Sequence, residues 1–193
     1  MSARGQAGAR TPDAAELAAD LQDWTLHLQA GSFTQTAVAM LQHDLRRAVP
    51  SALGYTLRLL SGSHLPPVSI TVADRVLLPE EVRSSISVTL VSRHGVDATA
   101  TFYAGAVDAF EQIADLLAVR LGLPRHEVST GDALDRPVTP GIEGMTDYTR
   151  VSYALGVLVG RGFALEAARE QLQLLVDRYG SPGAAADAVL GTV

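Results

Sequence analysis

The stretch SISVTLV at residues 85–91 is the most regular strand pattern in the chain, because polar and apolar side chains alternate along it as far as Leu90. Such alternation has the two-residue period of a β-strand with one buried face. After a turn at His94 and Gly95, residues 98–103, ATATFY, alternate again. Both stretches are rich in Thr and β-branched residues, which favour strands. We therefore predict that they pair with each other.

A second pair of strands precedes them. Residues 55–60, YTLRLL, and residues 68–72, VSITV, both alternate, and the Ser- and Gly-containing segment 61–64 between them predicts a turn. On the other side, apolar residues at helical spacing predict a long helix over residues 107–121, with Gly122 as its C-cap. These elements together predict an antiparallel meander with helices against it.

Two more helices are predicted upstream of the strands. The first runs from about 14 to 29 with Asp13 as its N-cap, and the second runs from Thr34 or Thr36 to about residue 48, before Pro50. Residues 1–13 are polar and lack an apolar core, so we interpret them as a disordered N-terminus rather than a signal peptide.

The C-terminal part is interpreted as a linker and a separate helical unit. Residues 124–144 are polar and contain three Pro and three Gly, with a short strand or turn near Val128. Three helices follow. They are predicted to run from Thr146 or Asp147 to Val159, from about 164 to 179, and from Pro182 to Leu190, the last one capped by Ser181. The predicted class is α+β, with an antiparallel sheet flanked by helices over residues 14–123 and an all-α three-helix domain over residues 145–193.

The composition excludes several functions. The 193 residues contain no Cys and no Lys, so disulfides, thiolate metal sites and a phosphate-binding Gly-Lys loop are ruled out. The five His show no metal-ligand spacing, and no polar cluster indicates catalysis, so we expect no enzyme activity, cofactor or metal. No apolar run reaches the roughly 18–20 residues of a membrane span. The net charge of −6 argues against a surface built entirely for nucleic acid. We expect a cytoplasmic protein.

Residues 151–168, VSYALGVLVGRGFALEAA, resemble the opening of an ANTAR domain, in which a small-residue helix is followed by a Gly-containing turn and a second helix. The matching positions are Ala154, Gly156, Val157, Leu158, Arg161, Gly162, Glu166 and Ala168. Leu172 fits the next core position, and residues 182–190 stand where the third helix is expected. The resemblance covers residues 145–193.

The upstream part resembles GAF domains, which often precede ANTAR domains in actinobacterial proteins. Residues 50–57, PSALGYTL, are similar to the entry into the first GAF strand. Residues 85–91 and 98–103 look like the later paired strands, and residues 107–121 like the closing helix. This likeness rests on element order more than on motifs.

The two resemblances imply a signal-responsive regulator that binds hairpin loops of nascent RNA and promotes transcription antitermination. They imply a homodimer and a GAF sensor, which holds a small-molecule ligand or is filled by its own side chains. Arg161, Arg169 and Arg178 are the candidate RNA contacts, and Tyr148 and Tyr179 are candidates for base stacking. Tyr153 is a candidate for stacking, for the core or for a dimer interface.

The chain departs from the ANTAR pattern at positions where basic residues could contact RNA phosphates. Leu155 stands where the family often has Lys, and the third helix has no basic residue. Because few Arg remain for phosphate, an alternative stays open: a degenerate protein that acts as a dimerisation or protein-interaction module without binding RNA. In that case the Arg side chains are surface charges, and Glu166 and Arg169 form an i,i+3 pair.

Overall fold

The computed structural model describes residues 15–19, 21, 23, 35–60, 65–90, 97–124, 127–131 and 134–191. Five helices have both ends in these ranges: α1 (Gln35–Ala48), α2 (Glu111–Leu121), α3 (Met145–Gly160), α4 (Leu165–Tyr179) and α5 (Pro182–Leu190). The strands are β1 (Ala52–Leu60), β2 (Val68–Ala73), β3 (Ser84–Leu90), β4 (Asp97–Ala104), β5 (Val128–Gly131) and β6 (Gly141–Glu143). The mixed α+β class is therefore confirmed.

Part of the first predicted helix is also described, since residues 15–19, 21 and 23 are helical. The remainder of that helix lies outside the described residues. So do the N-terminal segment 1–13 and the two predicted turns, at residues 61–64 and at His94 and Gly95.

The six strands form one antiparallel sheet in the order β5-β3-β4-β1-β2-β6. Both predicted strand pairs are confirmed, since β1 pairs with β2 and β3 pairs with β4. The expectation of a simple meander is wrong, because β1 also pairs with β4, so that both of these strands lie between β2 and β3. Tyr55 of β1 lies opposite Val72 on one side and Phe102 on the other, and it is fully buried. Its large apolar ring fits the centre of a sheet better than an edge.

One face of the sheet carries the main hydrophobic core. Tyr55, Ile86 and Phe102 contribute large buried side chains from the strands. The helices cover them with Leu17, Leu21, Leu41, Leu45, Ile113 and Leu117, all at most 2% exposed. The hydroxyl of Tyr55 also donates a hydrogen bond to the carbonyl oxygen of Val38 at 3.2 Å, which ties α1 to the sheet. This face is closed by its own helices.

The opposite face of the sheet is lined by hydroxyl groups. Successive side chains of a strand point to opposite faces, so the polar half of each alternating pattern lies together here. We name this surface the hydroxyl face, and its members from β1 to β4 are Thr56, Ser69, Thr71, Ser85, Ser87, Thr89, Thr99 and Thr101. All eight are half-buried. The polar positions that mark the strands in the sequence therefore form a continuous surface.

Two helices begin at different residues from those expected. Residues 107–110 form a turn, with Asp108 at φ +56°, so α2 starts only at Glu111. Gly122 is confirmed as its left-handed C-cap. Neither Thr146 nor Asp147 caps α3, because the helix starts at Met145 directly after Gly144. The cap of α5 is as predicted, since the Ser181 hydroxyl accepts a hydrogen bond from the Ala184 amide at 3.2 Å.

The segment 124–144, interpreted above as a linker, contributes a strand to each edge of the sheet. Val128 of β5 lies opposite Val88, and Ile142 of β6 lies opposite Ile70. The strand expected near Val128 is thus present, while β6 was not foreseen. Its three residues are too few for an alternating pattern to be recognised, and short edge strands are common because they resist pairing with other chains. The segment is part of the sheet.

Candidate functional site

A cavity of about 480 Å³ opens on the hydroxyl face. Thr56, Ser69, Thr71 and Tyr103 form its floor, and the loop 134–139 and Glu143 form its walls. We call it the sheet cavity. Its size falls within the roughly 300–1,000 Å³ of small-molecule sites. It is therefore large enough for a small molecule.

The loop over the cavity is held by a second loop. Leu77 and Val138 exchange two backbone hydrogen bonds of 2.9 Å each. Around this bridge, Leu77, Val82 and Tyr103 form a small buried cluster, against which Leu134 packs. The wall of the sheet cavity is therefore anchored by apolar contacts and by backbone hydrogen bonds.

Three hydroxyl groups on the cavity floor form a hydrogen-bonded chain. The Tyr103 hydroxyl donates to Thr56 Oγ1 at 3.1 Å, and Thr56 Oγ1 lies 3.0 Å from Thr71 Oγ1. Burial raises the pKa of Tyr103, while its hydrogen bond to Thr56 and the charge of Arg136 act in the opposite direction. Tyr103 is therefore protonated at physiological pH and donates its one proton to Thr56.

The sequence alone did not predict the sheet cavity. Asp135, Arg136 and Glu143 lie in the segment interpreted as a linker, and no local pattern marks them as cavity residues. The Ser and Thr side chains of the strands were visible, but they served only to define the alternation. One feature of the sequence could have indicated the cavity. Hydroxyl side chains recur on one face of four strands, and no helix was predicted to cover that face.

The three C-terminal helices pack around a separate small core. Val151, Ala154 and Leu158 of α3 meet Ala168 and Leu172 of α4. The third helix adds Ala185, Ala186 and Val189. Half of these buried residues are Ala, so the helix backbones approach each other closely. We call α3, α4 and α5 together the bundle.

Several positions of the ANTAR resemblance have structural roles in the bundle. Ala154, Leu158, Ala168 and Leu172 are at most 4% exposed and form its core. Gly162 has φ +99°, a left-handed conformation that favours Gly, in the turn between α3 and α4. Gly156, by contrast, is exposed, and Glu166 is bonded to Arg169. The resemblance therefore falls mainly on residues that shape the bundle.

Each candidate RNA contact has an intramolecular partner. Arg161 donates from Nη2 to the Val189 carbonyl oxygen at 3.2 Å and so joins the end of α3 to α5. Arg169 donates to Glu166 Oε1 at 2.6 Å, which is the expected i,i+3 pair. The guanidinium carbon of Arg178 lies 5.5 Å from the centre of the Tyr179 ring. The three Arg are therefore engaged in contacts within the bundle.

The structure does not bring these Arg together on one surface. Arg169 and Arg178 are nine residues apart in α4, which is about two and a half helical turns, so they lie on opposite sides of the helix. Over residues 145–193, four Arg stand against five Asp and Glu. A single bundle thus presents scattered positive charges.

One side of α3, towards its C-terminal end, carries no charged residue. Residues 151–160 contain no ionisable Asp, Glu, Arg or His, and Tyr153 is 69% exposed. Tyr153 is therefore not in the core, which excludes one of the three roles considered for it. We call this surface the α3 face, and its exposed residues are Met145, Thr149, Ser152, Tyr153, Gly156 and Val159. A groove of about 780 Å³ runs beside Tyr153, between Met145 and Leu190, and Arg150 is its one charged lining residue.

The other two candidate stacking residues and one His lie at least partly at the surface. Tyr179 is 43% exposed and Tyr148 is half-buried. Among the His, only His43 is described, and it is exposed; the other four lie outside the described residues. In the described part of the chain, no group of three or more acidic or His side chains could hold a metal.

No protein-family model, curated protein or solved structure matches this chain. The likeness to GAF and ANTAR domains consequently remains a prediction from the sequence. Within the ranges described, none of the helices has both the length and the apolar composition needed to cross a bilayer.

Proposed function

We propose that this chain is a signal-responsive regulator, in which the sheet is the sensor and the bundle binds structured nascent RNA to promote transcription antitermination. The observation that carries the proposal is the role of the ANTAR-like residues. Ala154, Leu158, Ala168 and Leu172 make the core of the bundle, and Gly162 makes its first turn. By the resemblance, they are core and turn positions of an ANTAR-type three-helix unit.

The sheet cavity supports the sensing half of the proposal. Glu143 lines this cavity, and Met145, two residues later, is the first residue of α3. A ligand that shifts β6 would therefore act directly on the start of the bundle. Such a ligand changes RNA binding only if its affinity differs between the arrangements of β6 and α3 before and after the shift.

RNA binding by this bundle calls for a dimer. One protomer offers only Arg161, Arg169 and Arg178 as candidate contacts, and they are dispersed. Two bundles in a homodimer double the number of these contacts, and linkage of the two sites raises the effective concentration of the second. RNA with two hairpin loops is the matching target.

The test is retention of such an RNA by the full chain at several salt concentrations. For single-stranded loops, each lost phosphate contact lowers the salt slope by about 0.7. We expect Arg178→Ala to reduce both the affinity and the slope, and Arg83→Ala, an exposed Arg on the sheet, to leave both unchanged. Absence of any retention at low salt would exclude the RNA-binding output.

A second candidate, a dimerisation or protein-interaction module without RNA binding, is favoured by the α3 face. Its residues are uncharged, and Tyr153 lies beside a groove whose charged lining residue, Arg150, is paired with Asp187. Such a surface can meet a copy of itself without like-charge repulsion, in contrast to the remainder of a chain with net charge −6.

Sedimentation of the full chain over a range of concentrations tests this candidate. If the α3 face forms the dimer, Tyr153→Glu shifts the protein towards monomer. Leu174→Glu, on an exposed and apolar position of α4, is the matched control and leaves the dimer intact. A dimer that survives Tyr153→Glu uses another surface. A dimer that retains no RNA supports this candidate over the first.

A further inference from the structure

Three charged residues line the sheet cavity and have no charged partner among the described residues. Asp135, Arg136 and Glu143 line the cavity, and among the described residues none of them forms an ion pair or a side-chain hydrogen bond. The cavity therefore holds one positive and two negative charges that are available to a ligand.

The floor of the cavity also contains one hydroxyl donor that is not used in a hydrogen bond within the floor. Each hydroxyl group has one proton, and Tyr103 uses its own on Thr56. Thr56 and Thr71 share one further hydrogen bond, which consumes only one of their two protons. One threonine proton is left for an outside acceptor, whichever of the two donates. This proton lies next to Ser69 in the same floor.

The positive and negative ends of the cavity are separated along the sheet. Arg136 lies near Tyr103, whose ionisation it influences, and the Tyr103 hydroxyl reaches Thr56 on β1. Glu143 stands on β6, with β2 between β1 and β6. Glu143 lies opposite Ser69, two residues along β2 from the partner of Thr56, so two strand spacings of roughly 4.8 Å and a rise of roughly 6.8 Å place it about 12 Å from Thr56 at the level of the backbone.

We propose that the sheet cavity binds an amino acid with a cationic side chain, of the lysine, ornithine or arginine type. Its carboxylate is held by Arg136 and by the free threonine proton. Its side-chain cation is held by Glu143, and Asp135 offers a second carboxylate for the α-ammonium group. One carboxylate and two cations complement the one positive and two negative charges of the cavity. Extended lysine spans about 8 Å from its carboxylate to its side-chain nitrogen, and the lengths of the Arg136 and Glu143 side chains cover the remainder of the separation.

This inference rests on the proposed function in taking the sheet as the sensor, and it names the ligand class of that sensor. The experiment is calorimetric titration of the full chain with L-lysine. Two comparison ligands each lack one charged group: L-norleucine has no side-chain cation, and cadaverine has no carboxylate. We expect L-lysine to bind at least about tenfold more tightly than either of them.

Variants that neutralise one charge of the cavity test which residue holds which end of the ligand. Glu143→Gln should remove the preference for L-lysine over L-norleucine, and Arg136→Gln should remove the preference over cadaverine. The matched controls are Glu80→Gln and Arg83→Gln, both exposed and outside the cavity, and they should keep the wild-type ratios. Thermal unfolding of each variant establishes that it is folded before titration.

The proposal is overturned if L-lysine, L-ornithine and L-arginine all bind more weakly than about 10 mM. It is overturned equally if L-lysine and L-norleucine bind alike, or if Glu143→Gln leaves their ratio unchanged. The titration contains no RNA, and the RNA retention assay contains no amino acid. Failure of one is therefore distinguishable from failure of the other.

Discussion

Gly144 lies directly against the carbonyl oxygen of Pro67. A Cβ at residue 144 would approach this oxygen closer than 3.0 Å, and the backbone of Gly144 has φ +82°. The contact joins the end of β6 to the start of β2, and the next residue begins α3. On the same side, Leu65 packs against the core of the bundle. The junction between sheet and bundle therefore depends on a position without a side chain.

Gly144→Ala should destabilise the protein, because the new methyl group meets the Pro67 carbonyl and the left-handed backbone disfavours Ala. The left-handed conformation alone costs about 1–2 kcal/mol. The matched control is Gly156→Ala, since no atom lies within 4 Å of a Cβ at this helical position. We expect that change to stabilise by about 0.5–1 kcal/mol. Urea unfolding measures both, and equal effects of the two substitutions would contradict the geometry of the junction.

Leu172→Ala should remove a central part of the bundle core. Leu172 is fully buried, and truncation of such a Leu costs about 2–5 kcal/mol. Leu174, two residues along the same helix, is 63% exposed, so Leu174→Ala should change the free energy of unfolding by less than about 0.5 kcal/mol. The bundle would not be packed as described if the two variants were equally stable.

Thr56→Val tests the hydroxyl chain of the sheet cavity. The substitution removes the acceptor of Tyr103 and the partner of Thr71, and it leaves the Tyr103 hydroxyl without its bond. Loss of a partner for a buried polar group costs about 1–3 kcal/mol. Thr99→Val, on the same face but outside the cavity, is the control and should be close to neutral because Val favours strands. Thermal or urea unfolding gives both values.

Stability should fall in alkaline solution because of two buried tyrosines. Burial raises the pKa of Tyr55 far above its ordinary value of 10.0, and it also raises the pKa of Tyr103. Below pH 10 both phenols are protonated in the folded and the unfolded chain. Above pH 10 the unfolded chain loses these protons first, so the free energy of unfolding decreases as pH rises towards the folded pKa.

Urea unfolding between pH 8 and pH 11 measures this dependence, and ultraviolet absorbance of the phenolate follows its formation. Tyr55→Phe should be less stable than the wild type at pH 8, since it loses the hydrogen bond to Val38. Its stability should nevertheless decrease less steeply above pH 10. A slope as steep as that of the wild type would show that Tyr55 does not contribute to the alkaline loss.

Local patterns in the sequence determined most of the secondary structure. Alternation at residues 85–91 predicted β3, because a strand with one buried face must alternate. The apolar spacing in α4 and the Ser181–Pro182 pair likewise predicted helices that are present. These features are local, since the burial of one face leaves its period in the chain itself.

Only the tertiary structure decided where these elements meet. The sequence did not show that β1 lies between β2 and β4, because pairing between distant strands leaves no local period. Nor did it show that the segment 124–144 adds β6 and a wall of the sheet cavity, which places Arg136 and Glu143 beside the hydroxyl face. The candidate Arg residues of the bundle were visible as residue types. Their partners and their dispersal around α4 depend on how the helices pack, and a side chain's neighbours across a fold are set by that packing rather than by its neighbours in sequence.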